Sequence, residues 1–224
     1  MVLAVSTYGV IGFFLVISLR KVLALGKSRK VHGAPLRVAE ALPAFMGSLL
    51  DIVLMRRLFI VNPGVWFGEW LFHLSLLLIV VRHLRFLFAS VPGWVWRLQA
   101  MGEIASYLLP VSVVYIFVIK VVIEKKRYLS SYNFFILALV LAQTLTGLSM
   151  RHFAPADLVS AKDFVLSILS FKRAVPPESL LFALHFALFL VLCASLPSHV
   201  FAAPLTLLDA RMREKALPRV LHED

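Results

Sequence analysis

Seven histidines divide into two groups by their surroundings. His32, His152 and His222 lie in polar stretches, whereas His73, His83, His185 and His199 lie inside apolar runs. An ionisable ring at bilayer depth is costly, so such residues face the interior of a helix bundle and tend to be functional. His73 and His83 are ten residues apart, and His185 and His199 are fourteen apart. As helices these separations give rises of roughly 15 and 21 Å. Both are too long for two ligands of one metal on one helix, which needs an i,i+4 spacing. They suit two ligand pairs stacked across a membrane. If the two segments run antiparallel, His73 faces His199 and His83 faces His185. An iron porphyrin held by two imidazoles has both axial positions filled and transfers electrons rather than activating oxygen. Two haem b groups are therefore the expected cofactors, with His73, His83, His185 and His199 as iron ligands. Hydrogen bonding between helices, a proton-transfer chain and an intramembrane metal site remain as other uses of the same rings.

The register is imperfect. The two rises differ by about 6 Å, and ten residues turn a helix to about 80° from its starting face. Tilt and a kink at Pro197 can absorb part of this. Around the rings, Glu69 is one turn before His73 and reads either as an orienting carboxylate or, more simply, as an interfacial one. Ser195 stands one turn before His199. Arg82 and Arg85 flank His83 and can pair with haem propionates, line a quinol pocket or snorkel to headgroups. Arg85 and Arg151 are the preferred propionate partners. Glu103, Tyr107 and His152 are candidate acceptors for quinol protons, and Lys120 reads as an orientation signal. Gly9, Gly12, Gly68 and Gly147 allow close approach of a helix or a macrocycle.

These side chains need elements that cross a bilayer. The chain of 224 residues is 61% hydrophobic and 16% charged, with a mean hydropathy of +0.90. Five runs of about 20 residues suffice to span ~30 Å of hydrocarbon: residues 2–23, 66–88, 104–123, 132–150 and 180–203. The expected fold is an all-α integral membrane protein, a single membrane domain over residues 1–224. It has a cytoplasmic loop at 24–65 and a cytoplasmic tail at 204–224. The loops on one side carry 16 basic residues and those on the other carry 7. The richer side is expected to be cytoplasmic, which puts the N-terminus outside and the C-terminus inside. The net charge of +11 then belongs to membrane orientation, with lipid as a partner and no nucleic acid.

Within the loops, 38–58 and 156–171 are apolar enough to be interfacial helices or docking surfaces. Trp66, Trp70, Trp94 and Trp96 fall near expected interfaces. The apolar start, Met1–Leu19, is followed by Arg20 and Lys21, the reverse of a signal peptide's charge order, and reads as a retained helix. The single cysteine, Cys193, excludes an internal disulfide, a CxxC metal site and c-type haem attachment. No separate catalytic centre is evident, and no short-spaced His/Glu box marks a membrane metal enzyme.

Three stretches carry a resemblance. WLFHLSLLLIVVRHLRFLF at Trp70–Phe88, KKRYLSSYNFFILALVLAQTLTG at Lys125–Gly147 and LHFALFLVLCASLP at Leu184–Pro197 resemble the gamma subunit of respiratory nitrate reductase. The resemblance implies a five-helix dihaem cytochrome b with His73, His83, His185 and His199 as axial ligands. Such a subunit exchanges electrons between menaquinone or another quinone and a partner protein. Here the second fifth-span histidine, His199, comes about one turn earlier than in that family, and the first loop is longer. Both features are more similar to the membrane cytochromes b of sulfate-reducer and heterodisulfide-reductase-like complexes. That branch implies a cytoplasmic iron–sulfur subunit, a multihaem cytochrome c on the outer side, or both. The implied location is the bacterial or archaeal cytoplasmic (inner) membrane, as a multi-pass respiratory-chain component. A haem-free membrane anchor or proton-conducting subunit is the alternative.

Overall fold

A computed structural model describes residues 2–32, 46–47, 49–123 and 130–197. Among these the regular secondary structure is all helical, with no strands. Residues group into two compact units, one of Met1–Gly9 and Gly64–Leu192, the other of Val10–Pro63 and Cys193–Asp224. The described helices are α1 (Val2–His32), α2 (Arg56–Val61), α3 (Pro63–His83), α4 (Gly93–Arg97), α5 (Gln99–Val118), α6 (Ser131–His152) and α7 (Leu158–Leu169). A final helix, α8, covers Leu180–Pro197. Five helical stretches are long and apolar enough to cross a membrane: Val2–Lys21, Pro63–Phe86, Gln99–Ile123, Ser131–His152 and Leu180–Pro197.

The expected spans and the observed helices coincide in order and number but not at every end. α3 begins at Pro63 rather than at 66, because proline at the first helical position loses no hydrogen bond and has the helical φ already set. α5 begins at Gln99 rather than at 104, carried in by the short α4. The expected end of the fifth span, at 203, lies outside the described residues, as do His199, the tail and residues 33–45 and 48 of the 24–65 loop.

In the first unit, α3 and α5 pack along a seam of small and apolar residues. Val65, Gly68, Phe72 and Ser75 are buried on α3. Gly102, Ala105, Leu109, Ser112, Val113 and Ile116 are buried on α5. Both sets follow the three-and-four spacing of one helix face. Each end of the contact is closed by a glycine. A Cβ on Gly68 would lie 2.7 Å from the Tyr115 ring, and one on Gly102 would lie 2.8 Å from Cβ of Arg82. α6 completes the core with Ile136, Leu137 and Val140 against Phe72, Leu109 and Val113. α5 contains Pro110 and continues as a π-helical turn, Ile119–Ile123.

Segment 156–171 folds as α7. Asp157 caps it, accepting from the amides of Val159 and Ser160 at 3.1 and 3.2 Å. Its buried face, Ala161, Phe164 and Ile168, packs with Phe182, Phe186, Leu3 and Ala4. Tyr8 holds the same helix end, donating its hydroxyl to the Ile168 carbonyl at 2.8 Å. In the second unit, Lys21 Nζ donates to the carbonyl of the buried Pro197 at 3.2 Å. Many large apolar side chains stay outward, including Leu77, Val111, Val114 and Leu145. Left in water such stripes would aggregate; a bilayer covers them.

Candidate functional site

The helix backbone of α3 fixes two of the four histidines in the same way. His73 Nδ1 lies 2.7 Å from the Glu69 carbonyl, and His83 Nδ1 lies 2.7 Å from the Ile79 carbonyl. A carbonyl only accepts, so each Nδ1 carries the proton and each Nε2 is left with a free lone pair. That is the tautomer a metal-binding imidazole needs.

His185, on α8, is held by side chains of α6. Its Nδ1 lies 3.0 Å from the Thr146 hydroxyl. The same hydroxyl donates to its own helix, at the carbonyls of Ala142 and Gln143, so it accepts from the His185 Nδ1–H. The His185 ring sits over Gly147, where a Cβ would come within 3.2 Å of its Cε1. A side chain at 147 would push the ring away.

The His83 and His185 rings face each other with centroids 6.3 Å apart and planes 20° apart. A first-row metal bonded at about 2 Å to one nitrogen of each ring, with each ring centre about 1 Å behind, sets centroids about 6 Å apart. The centroid spacing of the pair matches that of two imidazoles sharing one iron. Gln143 bears on the same fit. Its amide nitrogen lies 3.1 Å from His185 Nε2, and its Oε1 is buried without a hydrogen-bond partner. For His185 Nε2 to bond a metal, this amide would have to leave it. Among the described residues no group of three or more His, Cys, Asp or Glu is close enough to hold a metal ion, so the arrangement is a facing pair rather than a cage.

His73, with 43% of its side chain exposed, is poised in the same tautomer. Its expected partner His199 lies outside the described residues. Glu69 does not turn its carboxylate squarely onto His73, from which it is 4.0 Å away. It pairs instead with Lys120 at 2.7 Å, on the π-helical turn that ends the α5 span. Lys120, read from sequence as an orientation signal alone, thus has a local partner.

The two arginines have partners as well. Arg85 places its guanidinium over the Phe86 ring, 4.7 Å from its centroid. Arg151 forms an ion pair with Glu103 and lies 5.9 Å from the Tyr107 centroid. Tyr107 in turn bonds His152, hydroxyl to Nε2, at 2.9 Å. Glu103, Tyr107 and His152, separate in sequence, are one cluster at the ends of α5 and α6. Sequence reasoning missed Gln143 and Thr146. Their signal was available: Gln143, Thr146 and Gly147 are polar or small at i, i+3 and i+4 in an apolar helix.

Comparison with known proteins gives two curated relatives. Over 149 residues the chain is 31% identical to the Hdr-like menaquinol oxidoreductase cytochrome b-like subunit of Archaeoglobus fulgidus, covering 59% of this chain and 45% of that protein. It is also 31% identical, over 150 residues, to the protein of the same name from Archaeoglobus profundus, covering 59% and 44% respectively. The chain thus spans less than half the length of the curated relatives it matches. No family model and no solved structure matches it.

Proposed function

We propose that this chain is a dihaem cytochrome b membrane subunit of a respiratory redox complex. In this reading it carries electrons between a quinol or quinone pool and a partner redox protein. The observation that carries the reading is the approach of the His83 and His185 rings to 6.3 Å, each with its Nδ1 bound to an acceptor. The likeness to cytochrome b-like subunits of menaquinol oxidoreductases supports it and favours the heterodisulfide-reductase-like branch over nitrate reductase.

His83 and His185 would hold one haem b, and His73 with His199 would hold the second. Held by such histidine pairs, haem would supply one-electron transfer. The basic loops orient the chain with its N-terminus outside and its C-terminus in the cytoplasm. This makes His83 and His185 the outer pair and His73 and His199 the inner pair. Arg85 and Arg151 would face the propionates, Arg151 with further guanidinium donors beside its Glu103 pair. Menaquinone or another quinone is the membrane-soluble substrate. The inner pair meets a cytoplasmic iron–sulfur protein, and a multihaem cytochrome c is the outer-side partner of complexes of this kind. The whole chain forms one membrane domain in a bacterial or archaeal cytoplasmic membrane.

The test is haem stoichiometry and redox-titrated optical spectra of the chain purified with its partners in mild detergent. Two b-type haems with two midpoint potentials are expected. His83→Ala and His185→Ala should each remove the same component and leave the other. Less than one haem per folded chain, or unchanged spectra in both variants, overturns the reading in favour of a haem-free anchor or proton-conducting subunit.

A further inference from the structure

We infer that Tyr107 and His152 form the proton-accepting end of a quinol site that opens to lipid along α5, an assignment that rests on the quinol-linked reading above. Four observations converge on it. First, the Tyr107 hydroxyl and His152 Nε2 are 2.9 Å apart. With the imidazole proton on Nδ1, the phenol donates to Nε2 and keeps oxygen lone pairs for a second donor. Second, that second donor must arrive from the membrane, and the route is apolar. Ile104, Leu108 and Val111 are exposed on the same face of α5 as Tyr107, itself 42% exposed. This stripe suits an isoprenoid tail, with the headgroup at the polar end.

Third, the cluster is near the facing imidazoles. His152 follows Gly147, which underlies the His185 ring, by five residues of α6, a rise of about 8 Å. Fourth, the surrounding charges are arranged to leave the dyad free. Arg151 of α6 is taken up by Glu103 of α5. Arg82 of α3 interacts with both of these and with Tyr107. Glu103 is therefore held by cations, and the phenol–imidazole pair is left as the acceptor. A naphthoquinol hydroxyl donates to the Tyr107 oxygen. As the quinol O–H bond breaks, its proton goes to the phenol oxygen while the phenol proton passes to His152 Nε2, and His152 Nδ1–H is released outward. The accompanying electron would pass to the haem that His83 and His185 would hold. Two such events turn the quinol into the quinone, with two protons and two electrons accounted for.

The experiment uses the full chain, purified in mild detergent with its haem, and menadiol as the donor. Tyr107→Phe and His152→Gln are compared with the unsubstituted protein by stopped-flow haem reduction. Dithionite-reducible haem and midpoint potentials are measured in parallel. Haem content and potentials should be unchanged, and the menadiol rate should fall about 100-fold in each variant, within the range for loss of a general base. Unchanged rates in both variants overturn the assignment. So does loss of the haem signal itself, which would make these residues part of haem holding. If the unsubstituted protein contains haem that menadiol does not reduce, the quinol-linked reading fails first, and that outcome is distinct from the other two.

Discussion

At the scale of single residues, the three described intramembrane histidines share a tautomer but not its cause. His73 and His83 give their Nδ1 proton to their own backbone, one turn back. His185 gives it to Thr146 on another helix. Only the latter can be removed by substitution. Thr146→Val should weaken haem retention at the His83–His185 pair about 10- to 100-fold, as loss of a ligand's outer hydrogen bond does. Thr146→Ser should restore it; haem titration into haem-depleted protein reads both. The Glu69–Lys120 pair gives a second expectation. Each side chain is more than four-fifths buried, so Lys120→Met strands a carboxylate and should cost about 3 kcal/mol. Glu69→Gln/Lys120→Met should recover most of it, as measured by denaturation in mixed detergent.

Among the elements, α3 and α5 depend on two points of contact. Valine at Gly68 or Gly102 meets atoms nearer than 3.0 Å and should destabilise the bundle by about 1–3 kcal/mol. Valine at Gly9 or Gly12, where nothing lies within 4 Å, should not; thermal unfolding by circular dichroism separates the two sets. α7 adds a pH dependence. The Asp157 carboxyl is held below its ordinary value by the Ser160 hydroxyl at 2.5 Å, then by the amides of Val159 and Ser160. A depressed carboxyl contributes fully above its unfolded value and loses that contribution as pH falls through the folded one. Protection of the α7 amides, relative to their intrinsic exchange rates, should therefore fall below about pH 4, and Asp157→Ala should show little such change.

Across the whole molecule, what the sequence makes legible is one-dimensional. Apolar runs announce five spans, and histidines inside them mark candidate ligands, because each signal needs only local composition. The meeting of His83 with His185 followed from antiparallel direction and depth alone. The contributions of Gln143, Thr146, Gly102 and Lys120 depend on which faces meet. The π-helical turn at Ile119–Ile123 also shifts the register by an amount that no apolar periodicity announces. The proposed orientation has a direct check: a reporter fused after His222 should be active only in the cytoplasm. The paired glycines of α3 and α5 have one more consequence. Gly68 lies five residues from His73, whereas Gly102 abuts Arg82, the neighbour of His83. A wedge at one glycine levers α3 outward at that end and leaves the other end as its fulcrum. The two histidine positions on a single rigid rod are thus mechanically separable, and each can be displaced while its companion stays put.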